Sequence, residues 1–173
     1  MIEYILGVRL APLDSKYLET IREWRNVEEI RSWCRQNDLI SDLNQAEWYE
    51  KVRKDPSIKM YAVLDPSSEI VGVCGLTSID LYNRRAEFSL YIAPTRQQEG
   101  FGRRALKCLV LHGFRNLGLN CIWGETFEGN PAAKMFEEIG FKKEGTRRQF
   151  YFKGGKFIDC HLYSILVSEV TWS

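Results

Sequence analysis

The sequence carries FSLYIAPTRQQEGFGRRALKCLVLHGFRNL at residues 88–117. Its first part, Phe88–Pro94, is apolar and rich in β-forming residues, which predicts a strand that ends at the proline. A polar loop with Gly100 and Gly102 follows, and apolar residues then recur every three or four positions, which predicts a helix. Gly118 stands where a left-handed residue would close that helix. The stretch therefore predicts a strand, a glycine loop and a helix, in that order.

This order of elements favours the binding of a phosphate. Free N–H groups at a helix start attract anions, and glycines let a phosphate approach the backbone. Positive charge is added by Arg96, Arg103 and Arg104. Residues 100–105 also fit the dinucleotide fingerprint G-x-G-x-x-G/A, with Glu125 at about the expected distance. In the dinucleotide-binding fold the first glycine follows the strand directly, whereas here five residues intervene, which excludes that interpretation. A Walker loop is excluded as well, because no Lys-Ser or Lys-Thr follows the second glycine.

Two motifs carry a more specific similarity. The first is Gln97-x-x-Gly100-x-Gly102 behind a strand, and the second is NPAAKMFEEIGFKKEG at residues 130–145. Together they resemble the coenzyme A loop and the second signature of the GCN5-related N-acetyltransferases, the GNAT superfamily, in the family's order and at its usual separation. The resemblance is to the ribosomal-protein alanine and amino-sugar N-acetyltransferase types, and it weakens before about Ile58.

The fold class that follows is α/β, with the element order βααα-ββ-β-α-β-α-ββ. We expect a single GNAT domain over residues 1–173, with a mixed, mostly antiparallel sheet of about seven strands, a central parallel pair and flanking helices. The first strand is predicted at Ile5–Leu10. Capping boxes at Asn26–Glu29 and Asn44–Glu47 predict the starts of the second and third helices. Gly154–Gly155 predicts a two-residue hairpin turn.

Composition narrows the function classes. The formal charge of +1 gives no large field for nucleic acid or anionic lipid, so neither is an expected partner. The five cysteines are scattered and form no zinc-binding pattern, so no metal is expected. No signal peptide or membrane span is evident at the start or elsewhere, which predicts a cytoplasmic protein with reduced thiols. A homodimer is one option for its assembly.

The resemblance implies acetyl-CoA as the cofactor. In the family, backbone amides of the glycine loop hold the pyrophosphate, and a bulge in the preceding strand parts it from the next parallel strand so that the pantetheine arm fits between them. Asn130 would cap a helix and also bond the pantetheine. The residues expected to contact the cofactor are Leu90, Tyr91, Ile92, Gln97, Gln98, Gly100, Phe101, Gly102, Arg103, Asn130 and Phe136.

Glu87 is the carboxylate best placed for catalysis, because an acceptor ammonium must lose a proton before it attacks a thioester. The alternative interpretation is a structural glutamate, paired for instance with Arg85. Glu125, at the end of the next strand, is a weaker competitor. Many family members have Tyr where Phe136 stands, so another group such as Tyr91 would have to protonate the leaving thiolate, unless it leaves unassisted.

The acceptor is expected to be the primary amine of a small molecule. Trp24 and Arg25 lie in the region that covers the acceptor in the family, and arginine and aromatic side chains suit a diphosphate and a base or sugar face. These features favour a nucleotide-linked amino sugar over a protein N-terminus, and the near-neutral charge gives little attraction to a polyamine. The alternatives are an N-terminal acetyltransferase of the ribosomal-protein type and a coenzyme A-binding module without catalysis.

Overall fold

The computed structural model describes residues 2–5 and 7–172, and the side chains within residues 7–172. In chain order, the described elements are β1 (Ile2–Ile5), β2 (Val8–Pro12), α1 (Leu18–Asn26), α2 (Glu28–Arg31), α3 (Asp42–Lys54), β3 (Lys59–Leu64), β4 (Ile70–Asp80), β5 (Arg85–Ile92), α4 (Phe101–Asn116), β6 (Cys121–Phe127), α5 (Ala132–Ile139), β7 (Lys142–Lys153) and β8 (Lys156–Leu166). Short 3₁₀ turns precede α1 and α4 and follow β8.

The described strands form one sheet in the order β1-β2-β3-β4-β5-β6-β8-β7. Only β5 and β6 run parallel among the described neighbours, and the other pairs are antiparallel. This confirms the predicted mixed sheet with a central parallel pair and flanking helices. The described sheet has eight strands instead of about seven, because the predicted strand Ile5–Leu10 is part of a hairpin in which Ile5 pairs with Val8. Residue 6, within that prediction, lies outside the described residues.

Helices cover both faces of the sheet. On one face, α4 and α5 enclose a core whose largest fully buried side chains are Leu10, Leu76, Leu106, Leu109, Ile122, Ile139 and Ile165. On the other face, Ile21 of α1 packs with Ala62, Leu64 and Val73, joined by partly buried aromatics of α1 and α3. Neighbouring residues of β3 point to opposite cores, as the two-residue period of a strand requires.

The helix starts on the second face differ from those predicted. Asn26 does not cap α2 but ends α1, and its side-chain amide pairs with both backbone groups of Ile40, at 2.8 and 2.9 Å. Ser41, not Asn44, caps α3, and its hydroxyl accepts a hydrogen bond from the Asn44 N–H. The first prediction was wrong because the Asn26 side chain bonds Ile40 and α2 starts after Val27, which makes no side-chain cap. The second was wrong because Ser41, three residues earlier, makes the cap.

Glycines act as predicted in the second half of the chain. Gly118 follows α4 with a left-handed φ of 64°. Gly154 and Gly155 connect β7 to β8 as a two-residue turn with φ of 54° and 77°, values that favour glycine. The chain therefore turns sharply at the end of a long exposed hairpin, whose outer strand β7 forms the sheet edge.

Candidate active site

The sheet opens between β5 and β6. In the described chain, the ladder between these strands covers only Arg85–Glu87 of β5 and Cys121–Trp123 of β6. Beyond this, residues 88–92 pair only with β4, and residues 124–127 pair only with β8. We call the gap between these two segments the fork. It leaves one edge of β5 without a strand partner, which is the arrangement that a ligand arm needs in order to bond the backbone.

The fork forms without the expected bulge in β5. The ladder between β5 and β4 is regular from Glu87 to Ile92, and its irregularity lies in β4, between Thr77 and Asp80. Ser78 there has a left-handed φ of 49°. The expectation of parted strands is therefore confirmed by the pairing, whereas the expected position of the bulge was wrong, because β4 carries the extra residue.

The glycine loop stands at the open end of the fork. Gly100 precedes α4 with φ of 81°, a conformation that L side chains rarely adopt. A Cβ at Gly102 would lie 3.5 Å from both Ile92 Cγ1 and Met135 Sδ, and 3.9 Å from Leu90 Cδ2. The start of α4, the end of β5 and helix α5 thus converge at Gly102. The first N–H groups of α4 lack helical acceptors, so the loop suits an anion.

The arginines near the loop have partners within the protein. Arg96 lies 3.3 Å from the Asp65 carboxylate and 3.1 Å from that of Glu99. Arg103 pairs with Glu138 at 3.3 Å, and Arg104 donates hydrogen bonds to the carbonyls of Gly100 and Glu99. These contacts position the loop, so backbone N–H groups remain its main anion-binding feature.

Several predicted cofactor residues have structural contacts of their own. The Gln97 side chain donates to the Ile92 carbonyl at 3.4 Å, and Gln98 has a left-handed φ of 63°. Asn130 accepts a hydrogen bond from the Ala132 N–H at 2.9 Å, which confirms its capping role. Leu90, Ile92 and Gly102 lie together at the fork. Their contacts with a cofactor remain a prediction.

Phe136 lies in the hydrophobic core and is 6% exposed. Its ring packs edge-on against Phe88, with centroids 5.1 Å apart, and against Tyr163 at 5.7 Å. Phe88 in turn lies against Gly124, where a Cβ would come within 2.4 Å of the Phe88 ring. Because Phe88 and Glu87 alternate along β5, this aromatic cluster lies on the opposite side of the sheet from Glu87.

Two buried carboxylates meet where the fork begins. Glu87 belongs to the last residue pair between β5 and β6, and Glu125 lies two residues beyond that pair on β6. Their side chains are only 8% and 5% exposed. Both contact the guanidinium of Arg35: Nη2 donates to Glu87, and Nε lies 2.7 Å from Glu125 Oε1. We call Glu87 and Glu125 the carboxylate pair.

Two side chains of β7 also contact Glu125. Arg147 Nη1 donates to Glu125 Oε2 at 3.1 Å, and the Tyr151 hydroxyl donates to Oε1. Although burial favours the neutral acid, the pKa of Glu125 is lowered, because the Tyr151 hydroxyl and the charges of Arg35 and Arg147 favour the carboxylate. Burial, followed by the bond to Glu125, raises the pKa of Tyr151 to about 12. Glu125 is therefore an ionised group held in a low-dielectric position.

The structure corrects the expected partner of Glu87. Arg85 pairs with Asp80 at 3.4 Å, away from the carboxylate pair, and Arg35 takes the place beside Glu87. Arg35 lies in an irregular segment between α2 and α3 and its side chain is 49% exposed. Sequence periodicity does not predict the contact between Arg35 and Glu87. The position of Glu125 near Glu87, in contrast, follows from the parallel register of β5 and β6.

The predicted acceptor residues lie on the α1 side of the sheet. Trp24 packs against the core of that face together with Tyr91. Arg25 has a buried Nη1 without a hydrogen-bond partner among the described residues, and its charge acts on Tyr91 and Cys34. Burial raises the pKa of Tyr91, although the charge of Arg25 opposes the rise. Tyr91 therefore keeps its proton at neutral pH.

The described residues contain no cluster that could hold a metal ion and no helix long and apolar enough to cross a membrane. The site consists instead of a fork with one unpaired strand edge, a helix N-terminus with glycines, and a carboxylate pair. The strand edge and the helix N-terminus suit an acyl carrier that contains phosphates, and the carboxylate pair suits an amine as the second ligand.

Comparisons with known proteins agree with this chemistry. The family model of the Acetyltransferase (GNAT) domain matches residues 8–142. The chain is 30% identical to the uncharacterized N-acetyltransferase p20 of Bacillus licheniformis over 75% of its length and 76% of the relative. It is 29% identical to the spermidine N(1)-acetyltransferase of Vibrio cholerae, over 92% of this chain and 93% of that one.

A solved structure is similar over nearly the whole length. The spermidine N-acetyltransferase from Vibrio cholerae, in complex with CoA and spermine, superposes with a TM-score of 0.90 at 29% identity, covering 94% of this chain and 97% of the other. Acetyl-CoA is accordingly the acetyl donor, and the fork and the glycine loop fit its arm and its phosphates. The chain belongs to the GNAT superfamily of N-acetyltransferases.

Proposed function

We propose that the protein acetylates the primary amine of a small cationic molecule, with the carboxylate pair receiving the amine. The observation that carries this proposal is the contact of Glu87 and Glu125 with a single guanidinium at the start of the fork. Two buried carboxylates that converge on one cation form a site for an ammonium group. Acetyl-CoA, when bound, supplies the acetyl group as a thioester.

The cofactor side of the proposal rests on backbone groups. The unpaired edge of β5 near Leu90, Tyr91 and Ile92 would bond the pantetheine arm, together with Asn130. The N–H groups from Gln98 to Arg103 would hold the pyrophosphate, with Gly100 and Gly102 leaving room for it. A backbone N–H of the fork would also stabilise the negative charge on the thioester oxygen during attack.

Glu87 is the proposed base. An ammonium bound between the two carboxylates is protonated, and Glu87 would take one proton, directly or through water, so that the neutral amine attacks. Glu125 would remain ionised, because its contacts with Tyr151 and Arg147 lower its pKa. Tyr91, which is protonated at neutral pH, is the proposed donor to the thiolate, since Phe136 has no proton to give.

A polyamine is the acceptor class that these features support best. The similarity to spermidine N(1)-acetyltransferase covers 92% of the chain. The net charge of +1 gives little long-range attraction to a polycation, but Glu87 and Glu125 provide carboxylate acceptors for an ammonium group where the amine must bind.

A nucleotide-linked amino sugar is the second candidate, and Arg25 is the observation in its favour. A buried guanidinium nitrogen without a partner can pair with a phosphate. Arg25→Ala tests this: the KM for the amino-sugar nucleotide should rise while the KM for acetyl-CoA stays constant. If the wild type acetylates no such sugar but acetylates a peptide N-terminus, the ribosomal-protein type of acceptor replaces this candidate.

An acceptor screen tests the proposed function. Purified protein is mixed with acetyl-CoA and with polyamines, amino sugars, their nucleotide conjugates and N-terminal peptides, and released thiol and acetylated product are measured. We expect turnover with a polyamine and its loss in Glu87→Gln. Glu50→Gln is a matched control, since Glu50 is an ion-paired carboxylate on the exposed side of α3. Binding of coenzyme A without turnover of any amine would instead identify a non-catalytic module.

A further inference from the structure

The segment that connects α2 to α3, residues 32–41, lies over the carboxylate pair and is here called the strap. It has no regular helix or strand. At its start, Lys153 Nζ of β7 donates hydrogen bonds to the carbonyls of Ser32, at 2.8 Å, and Cys34. At its end, the Asn26 side chain bonds the N–H and carbonyl of Ile40. The strap is therefore held at both ends, while residues 35–39 between them are exposed.

Arg35 is the strap residue that reaches the site. Its guanidinium contacts both Glu87 and Glu125, yet half of its side chain is exposed to water. The two carboxylates come from rigid strands and are almost fully buried. Arg35 is thus the member of the cluster that can leave, because it is carried by an irregular segment and its charge can be hydrated outside.

The negative charges of the carboxylate pair are balanced only while a cation occupies the position of the Arg35 guanidinium. Arg35 and Arg147 face Glu87 and Glu125, and Arg147 contacts only Glu125 among these two. If Arg35 left alone, Glu87 would be a buried carboxylate without a counter-ion, which is strongly unfavourable. Arg35 can therefore leave readily only when another cation enters.

We propose that Arg35 is an internal competitor of the acceptor: its guanidinium occupies the ammonium position of the free enzyme, leaves when the protonated amine binds, and returns after acetylation. This inference rests on the proposed function. Acetyl transfer forms the C–N bond and breaks the C–S bond. Of the two protons that the ammonium loses, one passes to Glu87 and the other replaces the proton that Tyr91 gives to the coenzyme A sulfur, so that the cofactor leaves as the thiol. The resulting amide is neutral and no longer balances the carboxylates, so that Arg35 returns once Glu87 has released its proton to water.

The consequence is selectivity for charge. Only a cationic group can replace Arg35, and the acetylated nitrogen of the product, which is now a neutral amide, is displaced by it. The apparent affinity for the amine is lowered by the fraction of time for which Arg35 blocks the site: a site that is open for a tenth of the time binds about tenfold more weakly.

The test measures binding and does not depend on turnover. Spermidine is titrated by calorimetry, in the presence of coenzyme A, into the wild type, Arg35→Ala, Arg35→Lys and Arg85→Ala. Arg85→Ala is the matched control, because it removes the same charge from an ion pair outside the site. We expect about tenfold tighter binding to Arg35→Ala, an intermediate value for Arg35→Lys and the wild-type value for Arg85→Ala.

Small guanidinium ions provide a second readout. Methylguanidinium should compete with spermidine in Arg35→Ala, where the guanidinium position is empty, and should have little effect on the wild type. A residue that merely positions the site would give weaker spermidine binding on removal and no such competition. Spermidine binding to Arg35→Ala that is equal to the wild type, weaker or absent overturns the proposal.

Failure of the proposed function and failure of the competition by Arg35 give different results. If spermidine binds Arg35→Ala more tightly but neither protein releases thiol with any amine, the competition by Arg35 stands and the catalytic proposal fails. If the wild type acetylates spermidine and Arg35→Ala shows an unchanged or raised KM, catalysis stands and the competition by Arg35 fails.

Discussion

Replacing Glu87 by glutamine keeps the shape of the side chain and removes the base. The variant amide can still contact Arg35, and Arg35 keeps its bond to Glu125 and its half-exposed position. We therefore expect the free energy of unfolding to change by no more than about 1 kcal/mol, a shift of roughly 2–4 °C in the melting temperature of a chain of this size. The fold and the cofactor site should stay intact.

Catalysis should respond much more strongly than stability. Loss of a general base lowers kcat by about 10²-fold or more, equivalent to about 2.7 kcal/mol in the barrier. The assay follows thiol release with the best amine of the acceptor screen, over a range of pH. The acid limb of the kcat/KM profile should disappear in Glu87→Gln, while the KM for acetyl-CoA stays constant. A wild-type pH profile in this variant, or an equal loss in Glu50→Gln, would refute the assignment.

Three further predictions concern the loop, the carboxylate pair and the strap. Gly102→Val should lose coenzyme A binding in calorimetry with little change in melting temperature, because its methyl groups would fill the gap beside β5; unchanged affinity contradicts this use of the loop. The pKa of Glu125 is lowered on folding, so the ionised carboxylate stabilises the fold above the unfolded pKa of about 4.3, and this contribution is lost as pH falls through the folded pKa. In Glu125→Gln, the melting temperature should therefore fall less steeply at acid pH than in the wild type. An unchanged slope would contradict this role of Glu125. Lys153→Met removes the bonds to the start of the strap, so we expect faster hydrogen exchange at residues 31–34 and a loss of about 2 kcal/mol, and unaltered exchange would show that the strap is held otherwise.

Local sequence features predicted much of the fold. The strand, glycine loop and helix at residues 88–117, the hairpin at Gly154–Gly155 and the cap at Asn130 depend on neighbours in the chain, and the structure confirms them. Periodicity and turn residues report such short-range constraints directly. The same rules failed at Asn26, whose side chain bonds Ile40 across the strap instead of capping α2.

The site was predictable only in part, because its contacts span long distances along the chain. Glu87 was identified from its position in the strand before the loop, but its partner Arg35 lies 52 residues away in an irregular segment. Arg147 and Tyr151 of the edge strand reach Glu125 through the pairing of β6, β8 and β7, an arrangement that no local pattern encodes. Side-chain networks of this kind require the three-dimensional fold to be known.

The central claim is that the carboxylate pair receives the acceptor amine beside the bound cofactor. A crystal structure of the protein with coenzyme A and spermidine tests it most directly. The account predicts a spermidine nitrogen within hydrogen-bond distance of Glu87 and Glu125, the Arg35 guanidinium turned away from both, and the pantetheine arm in the fork. Spermidine bound elsewhere, with Arg35 still between the two carboxylates in the presence of coenzyme A, would contradict it.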